Sequence, residues 1–228
     1  MNNPLQDLPL VAAGPSPEAA PAVTLLVHGR GRAPAEMLAL AERFALPEMA
    51  YLAPTAAGGT WYPESFLAPI AKNEPHLGWA LARLEGIVRD LEGRGVTRDR
   101  MALVGFSQGA CLVAEYVLRH PCRWGGVSLL TGGVIGPAVA PPPGPAGDLH
   151  GTPIFLGCCE ADAWVPLARV RDTAALFTAM GAVAALRVAP GAEHVVTDGQ
   201  VTATRALLAS LVSSPGGARA GVRVRGDA

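Results

Sequence analysis

Charge is scarce in this chain: Asp, Glu, Lys and Arg make up 16% of its 228 residues, against roughly 25% in a typical soluble domain. What charge there is sums to a formal −1, so no excess of one sign argues for nucleic acid or an anionic membrane surface. No uninterrupted apolar run approaches the roughly 20 residues a membrane-spanning helix needs. Residues 1–10 lack a basic start and an apolar core, so they do not signal secretion and a cytoplasmic protein is expected. Four cysteines, Cys111, Cys122, Cys158 and Cys159, match no zinc-ligand spacing. They are expected to be reduced thiols packed as small hydrophobes; a redox pair is the other reading. No metal and no cofactor is expected.

Apolar residues, by contrast, make up 50% of the chain, enough for one sizeable core without metals or disulfides, and the length suits one domain better than two. Residues 136–151 are too rich in Pro and Gly for a helix or a central strand. The expected layout is an N-terminal strand and loop over 1–21, an α/β domain over 22–212 and a disordered tail over 213–228. Short apolar runs at Ala22–Val27, Met49–Leu52, Met101–Val104, Gly126–Leu130, Pro153–Leu156 and Ala184–Val188 read as strands covered on both faces. Helical periodicity appears at Pro34–Phe44, Glu74–Leu91, Gln108–Arg119, Pro166–Met180 and Gly199–Val212. This alternation implies a single α/β domain with a mostly parallel central sheet and helices on both faces. Functional groups then gather at the carboxyl edge of the strands.

At one such edge the chain reads Gly105-Phe106-Ser107-Gln108-Gly109, with a strand before it and an amphipathic helix after. A bare GxSxG is weak evidence, but strand–turn–helix is the context in which the serine becomes an exposed nucleophile. Glycine at 105 and 109 leaves room for strand and helix to approach, and the helix N-terminus favours developing negative charge. An ordinary N-capping serine is the alternative.

A serine hydroxyl needs a base, normally histidine, and in this arrangement the acid and then the histidine follow the serine along the chain. His28 and His76 come too early, His120 fits a helix C-cap, and His150 lies in the Pro-rich loop. His194, after the last strand, meets both demands. The orienting acid should follow the preceding strand, where Glu160 and Asp162 both qualify. Asp162 is preferred because Val165-Pro166 follows, with Pro166 suited to the first helical turn.

An oxyanion requires preorganised donors. The backbone N–H of Gln108 is one, and the N–H of Arg30, in the loop Val27-His28-Gly29-Arg30-Gly31, is assigned as the other. Whether the Arg30 guanidinium faces the site or the solvent is open. The long connection over 53–70 suits a lid or binding loop. Its Trp61, Tyr62, Phe66 and Leu67 are read as pocket wall, with Trp164 added, against the alternative of a satellite cluster pinning the loop.

These residues resemble the phospholipase/carboxylesterase family of α/β-hydrolases, which includes acyl-protein thioesterases and small bacterial carboxylesterases. The resemblance rests on Val27-His-Gly-Arg-Gly, Ala53-Pro-Thr, Trp61-Tyr-Pro, Asn73-Glu-Pro, Gly105-Phe-Ser-Gln-Gly-Ala, Asp162-Ala-Trp-Val-Pro and Gly191-Ala-Glu-His. It runs from about residue 22 to residue 212. It implies an α/β-hydrolase fold, a Ser107–Asp162–His194 triad and oxyanion N–H groups from Arg30 and Gln108. Arg30 stands where thioesterase members usually carry an apolar residue, and the Trp-Tyr-Pro loop is closer to the bacterial esterase branch. Both departures lean toward small or medium acyl esters rather than a long-chain tunnel.

The expected function is therefore a serine carboxylesterase whose partner is a small-molecule ester. Neither nucleic acid nor stable membrane insertion is expected, and a homodimer is left open. An acyl-protein thioesterase or lysophospholipase is the rival within enzymes. A silent hydrolase fold acting as a binding protein would usually carry a broken triad or a lost elbow glycine, and neither is seen.

Overall fold

The computed structural model describes residues 3–140 and 147–213. The expected tail therefore lies outside the described residues, apart from Ser213. Among the described residues the strands are β1 (Leu10–Ala13), β2 (Val23–Val27), β3 (Ala50–Pro54), β4 (Met101–Phe106), β5 (Gly126–Leu130), β6 (Pro153–Cys159) and β7 (Val183–Ala189). The helices are α1 (Pro34–Phe44), α2 (His76–Gly93), α3 (Gln108–Arg119), α4 (Leu167–Ala179) and α5 (Asp198–Val212). They form one seven-stranded sheet in the order β1-β3-β2-β4-β5-β6-β7. Only β1 runs antiparallel to its neighbour; the other pairs are parallel.

The apolar runs form strands because both faces are covered. In β4, Met101 and Leu103 belong to the core beneath α2, α3 and α4, while Ala102, Val104 and Phe106 belong to the core beneath α1 and α5. The side-chain period of two thus divides one apolar run between two layers. Helix α2 buries Leu77, Leu81, Leu84, Val88 and Leu91 at three- and four-residue steps, the stripe its periodicity demands. Each fully buried aliphatic side chain contributes about 1.5–3 kcal/mol over exposure. The edges differ from the centre: β1 is exposed throughout and β7 alternates between exposed and half-buried.

Strands β4 and β6 run further than their apolar runs suggest, to Phe106 and Cys159. In each a glycine sits inside the strand, where another element comes close. A Cβ on Gly105 would lie 2.6 Å from the Ala110 Cα, and one on Gly157 would lie 2.6 Å from Cγ of Gln200. The connection over 53–70 is irregular apart from short 3-10 turns at Ala57–Gly59 and, at its end, Ile70–Lys72. Among the described residues no helix is long and apolar enough to cross a membrane.

Candidate active site

Strand β4 ends at Phe106 and α3 begins at Gln108, so Ser107 alone makes the turn. Its backbone has φ 54° and ψ −120°, a conformation that costs on the order of 1–3 kcal/mol and persists only where the surroundings enforce it. They do so here: the Ser107 N–H donates to the Leu130 carbonyl at 2.9 Å, and the Ser107 carbonyl accepts from the Cys111 N–H at 3.0 Å. Gly109 is required by proximity, since a Cβ there would strike the carbonyls of Val27 and His28.

The structure brings Ser107, His194 and Asp162 into one line. His194 Nε2 lies 2.7 Å from Ser107 Oγ, and His194 Nδ1 lies 2.8 Å from Asp162 Oδ2. Both contacts are hydrogen bonds in the tautomer whose Nδ1–H donates to the carboxylate and whose Nε2 accepts from the hydroxyl. Asp162 Oδ1 accepts the N–H groups of Trp164 and Val165 at 2.8 and 2.9 Å, which fixes the carboxylate before the imidazole meets it. The Asp162 side chain is 0% exposed and that of His194 23%. Glu160, the other acid considered, is exposed, and its N–H donates to the Ala189 carbonyl.

Opposite His194, the β2–α1 loop brings Arg30 beside the elbow. The amide N–H groups of Arg30 and Gln108 have no protein acceptor among the described residues. The Arg30 guanidinium, left open by the sequence, donates to the carbonyls of Tyr62, Pro63 and Glu64 at 2.8–2.9 Å. It is a strap across the 60–66 loop. Two further side chains hold that loop, a role that no motif or spacing signals for either. Gln108 accepts from the Trp61 N–H at 3.1 Å and donates to the Tyr62 carbonyl at 2.7 Å. Asn73, fully buried, accepts from the Glu64 N–H at 2.8 Å and donates to the Ser65 carbonyl at 3.2 Å.

His28 is buried beneath the loop. Its Nδ1 bonds the Gly29 carbonyl at 2.8 Å, and its Nε2 accepts from the Ala56 N–H at 3.3 Å. Burial pushes the imidazole below its ordinary value, against the opposing pull of the Gly29 carbonyl.

A cleft of about 480 Å³ opens over Ser107. Tyr62, Phe66 and Trp164 line it, together with Arg30, Gln108 and Cys111. Trp61 and Leu67 are not in this wall. Trp61 faces inward because its indole N–H finds the His28 carbonyl at 2.8 Å, and its ring packs on His28 with centroids 4.8 Å apart. Leu67 is half-buried against the core. Burial pushes the Tyr62 hydroxyl well above its ordinary value and the Cys111 thiol up to about 12.

A mostly parallel sheet with a serine elbow at the carboxyl end of a central strand defines the α/β-hydrolase class. The phospholipase/carboxylesterase family profile matches residues 9–211; the chain belongs to that family and is a hydrolase of the esterase and thioesterase type. A phospholipase/carboxylesterase from Dyadobacter fermentans is 32% identical, with 90% of this chain and 97% of that chain covered and a TM-score of 0.84. Two more distant structures share the fold. A carboxylesterase from Mesorhizobium loti is 24% identical over 83% of this chain and 89% of its own, with a TM-score of 0.67. Arabidopsis thaliana SOBER1 is 19% identical over 84% and 99%, with a TM-score of 0.68. No curated protein matches the chain.

Proposed function

We propose that this hydrolase is a serine carboxylesterase that cleaves small-to-medium acyl esters through an acyl-enzyme. The observation that carries the reading is the hydrogen-bonded line from Ser107 Oγ through His194 to Asp162, facing a 480 Å³ cleft. Ser107 Oγ attacks the ester carbonyl as its proton passes to His194 Nε2, and Asp162 stabilises the imidazolium that forms. The tetrahedral oxyanion accepts from the N–H groups of Arg30 and Gln108. His194 then gives its proton to the departing alcohol oxygen, leaving the acyl group on Ser107. A water molecule repeats the cycle: His194 takes its proton, the hydroxide attacks, and Ser107 leaves with the proton restored.

The preference for small-to-medium acyl groups is supported by the cleft's modest volume of about 480 Å³. It is supported also by Arg30, which lines the cleft with Cys111, Tyr62 and Phe66 and is tied to the carbonyls of residues 62–64. A fluorophosphonate probe should label the protein, and Ser107→Ala should abolish labelling and lower kcat by about 10⁵-fold or more. Acetyl and butyryl esters should turn over faster than palmitoyl ester or palmitoyl thioester. Turnover of the long-chain thioester alone would overturn the substrate class, and an unlabelled wild-type protein would point to a binding role.

A further inference from the structure

A second cleft, of about 380 Å³, begins where the first ends. The two share Gly29, Arg32, Phe106 and His194, but Ser107 and Gln108 belong to the first alone. Beyond that saddle the second cleft runs over α1 and the segment after His194. Its walls are Met37 and Leu40 on one side and Val195 and Val196 on the other. Met37, Leu40 and Phe106 are buried, while Val195 is 49% exposed.

The direction of proton transfer decides what this cleft faces. The imidazolium of His194 must deliver its proton to the departing oxygen, so that oxygen sits against Nε2 and its substituent extends past the ring, away from Ser107. The oxyanion donors and the nucleophile lie in the first cleft, which takes the acyl part. The second cleft is lined by the same imidazole but by neither Ser107 nor Gln108. Its charged rim is already neutralised: Arg32 pairs with Glu36 at 2.6 Å and Arg43 with Asp198 at 2.7 Å. That leaves no spare charge for an anionic head group, and the volume lies within the roughly 300–1,000 Å³ of small-molecule sites.

We infer that the α1 cleft is the leaving-group site, and that it takes the neutral, apolar alcohol moiety of the ester, a medium alkyl chain or an aryl ring. The inference rests on the esterase reading above. With the acyl group fixed as butyrate, every ester forms the same acyl-enzyme, so differences in kcat/KM report the alcohol side alone. Hexyl and benzyl butyrate should exceed methyl butyrate in kcat/KM by about tenfold or more. Ala39 lies on an exposed part of α1 and lines the cleft, so Ala39→Trp fills it from the surface without disturbing the core. The hexyl-to-methyl ratio should fall to near one in that variant. As a measurement independent of folding of the variant, hexan-1-ol should inhibit wild-type hydrolysis of methyl butyrate at concentrations where methanol does not.

A wild-type ratio near one, a ratio unchanged by Ala39→Trp, or equal inhibition by the two alcohols would overturn the inference while leaving the esterase reading intact. Absence of turnover of all three esters, with no fluorophosphonate labelling, would overturn both.

Discussion

Ser107 stands at the end of β4, a strand buried from end to end between β2 and β5, whereas His194 follows β7, an edge strand that is half exposed. Around Ser107 the chain is held by packing, by two backbone hydrogen bonds and by glycines that admit α3. Around His194 the segment 190–196 is exposed or half-buried throughout, and the imidazole is placed by its own two hydrogen bonds. The difference matches the tolerances of the chemistry. A nucleophile must meet a carbonyl whose oxygen points at two fixed N–H groups, and small displacements are costly. A base has to reach only from Oγ to the departing oxygen, a short swing of one ring.

If hydrogen bonding rather than packing places His194, Asp162→Asn should have the largest effect on that side. An amide holding the wrong tautomer should lower kcat by about 10⁴-fold with little loss of stability, read from steady-state kinetics beside thermal unfolding. A substantial fall in unfolding temperature would mean that packing matters more there than the exposure suggests. The contrast between centre and edge should next appear as stability. Leu103→Ala, in β4 and 1% exposed, should cost about 3–4 kcal/mol, and Leu186→Ala, half-buried in β7, about 1 kcal/mol, by chemical denaturation. Equal costs would erase the comparison. Smallest is the strap: Arg30→Met removes the donors to Tyr62, Pro63 and Glu64 and should raise KM for butyryl esters several-fold through a looser wall. A larger fall in kcat than rise in KM would instead place the guanidinium in the transition state.

Much of this arrangement was legible in the sequence because it is local or ordered. The alternation of runs specifies the layers, the elbow motif specifies where Ser107 sits, and chain order leaves His194 as the candidate base and Asp162 or Glu160 as the candidate acid. The structure separates those two acids by placing Asp162 Oδ2 on the imidazole and leaving Glu160 exposed. What escaped is polar and non-local. Gln108 and Asn73 hold the 60–66 loop through backbone groups up to 47 residues away, and no periodicity records such pairs. Trp61 escaped for the same reason, since an aromatic in a loop reads as wall until the acceptor for its N–H is known. The α1 cleft was not visible because its walls come from two segments about 155 residues apart, as the Arg43–Asp198 pair at its rim illustrates.

Cys111 lies one helical turn beyond Ser107 and lines the same cleft. An electrophile that enters therefore meets two side chains able in principle to attack it. Burial pushes the Cys111 thiol up to about 12, which holds it as the neutral, weakly nucleophilic thiol at pH 7. Ser107 Oγ has the His194 imidazole at 2.7 Å, in position to take its proton. Carbamates, phosphonates and activated carbonyls should therefore sort to oxygen rather than sulfur, and the site should stay in use under oxidising conditions that disable a cysteine nucleophile.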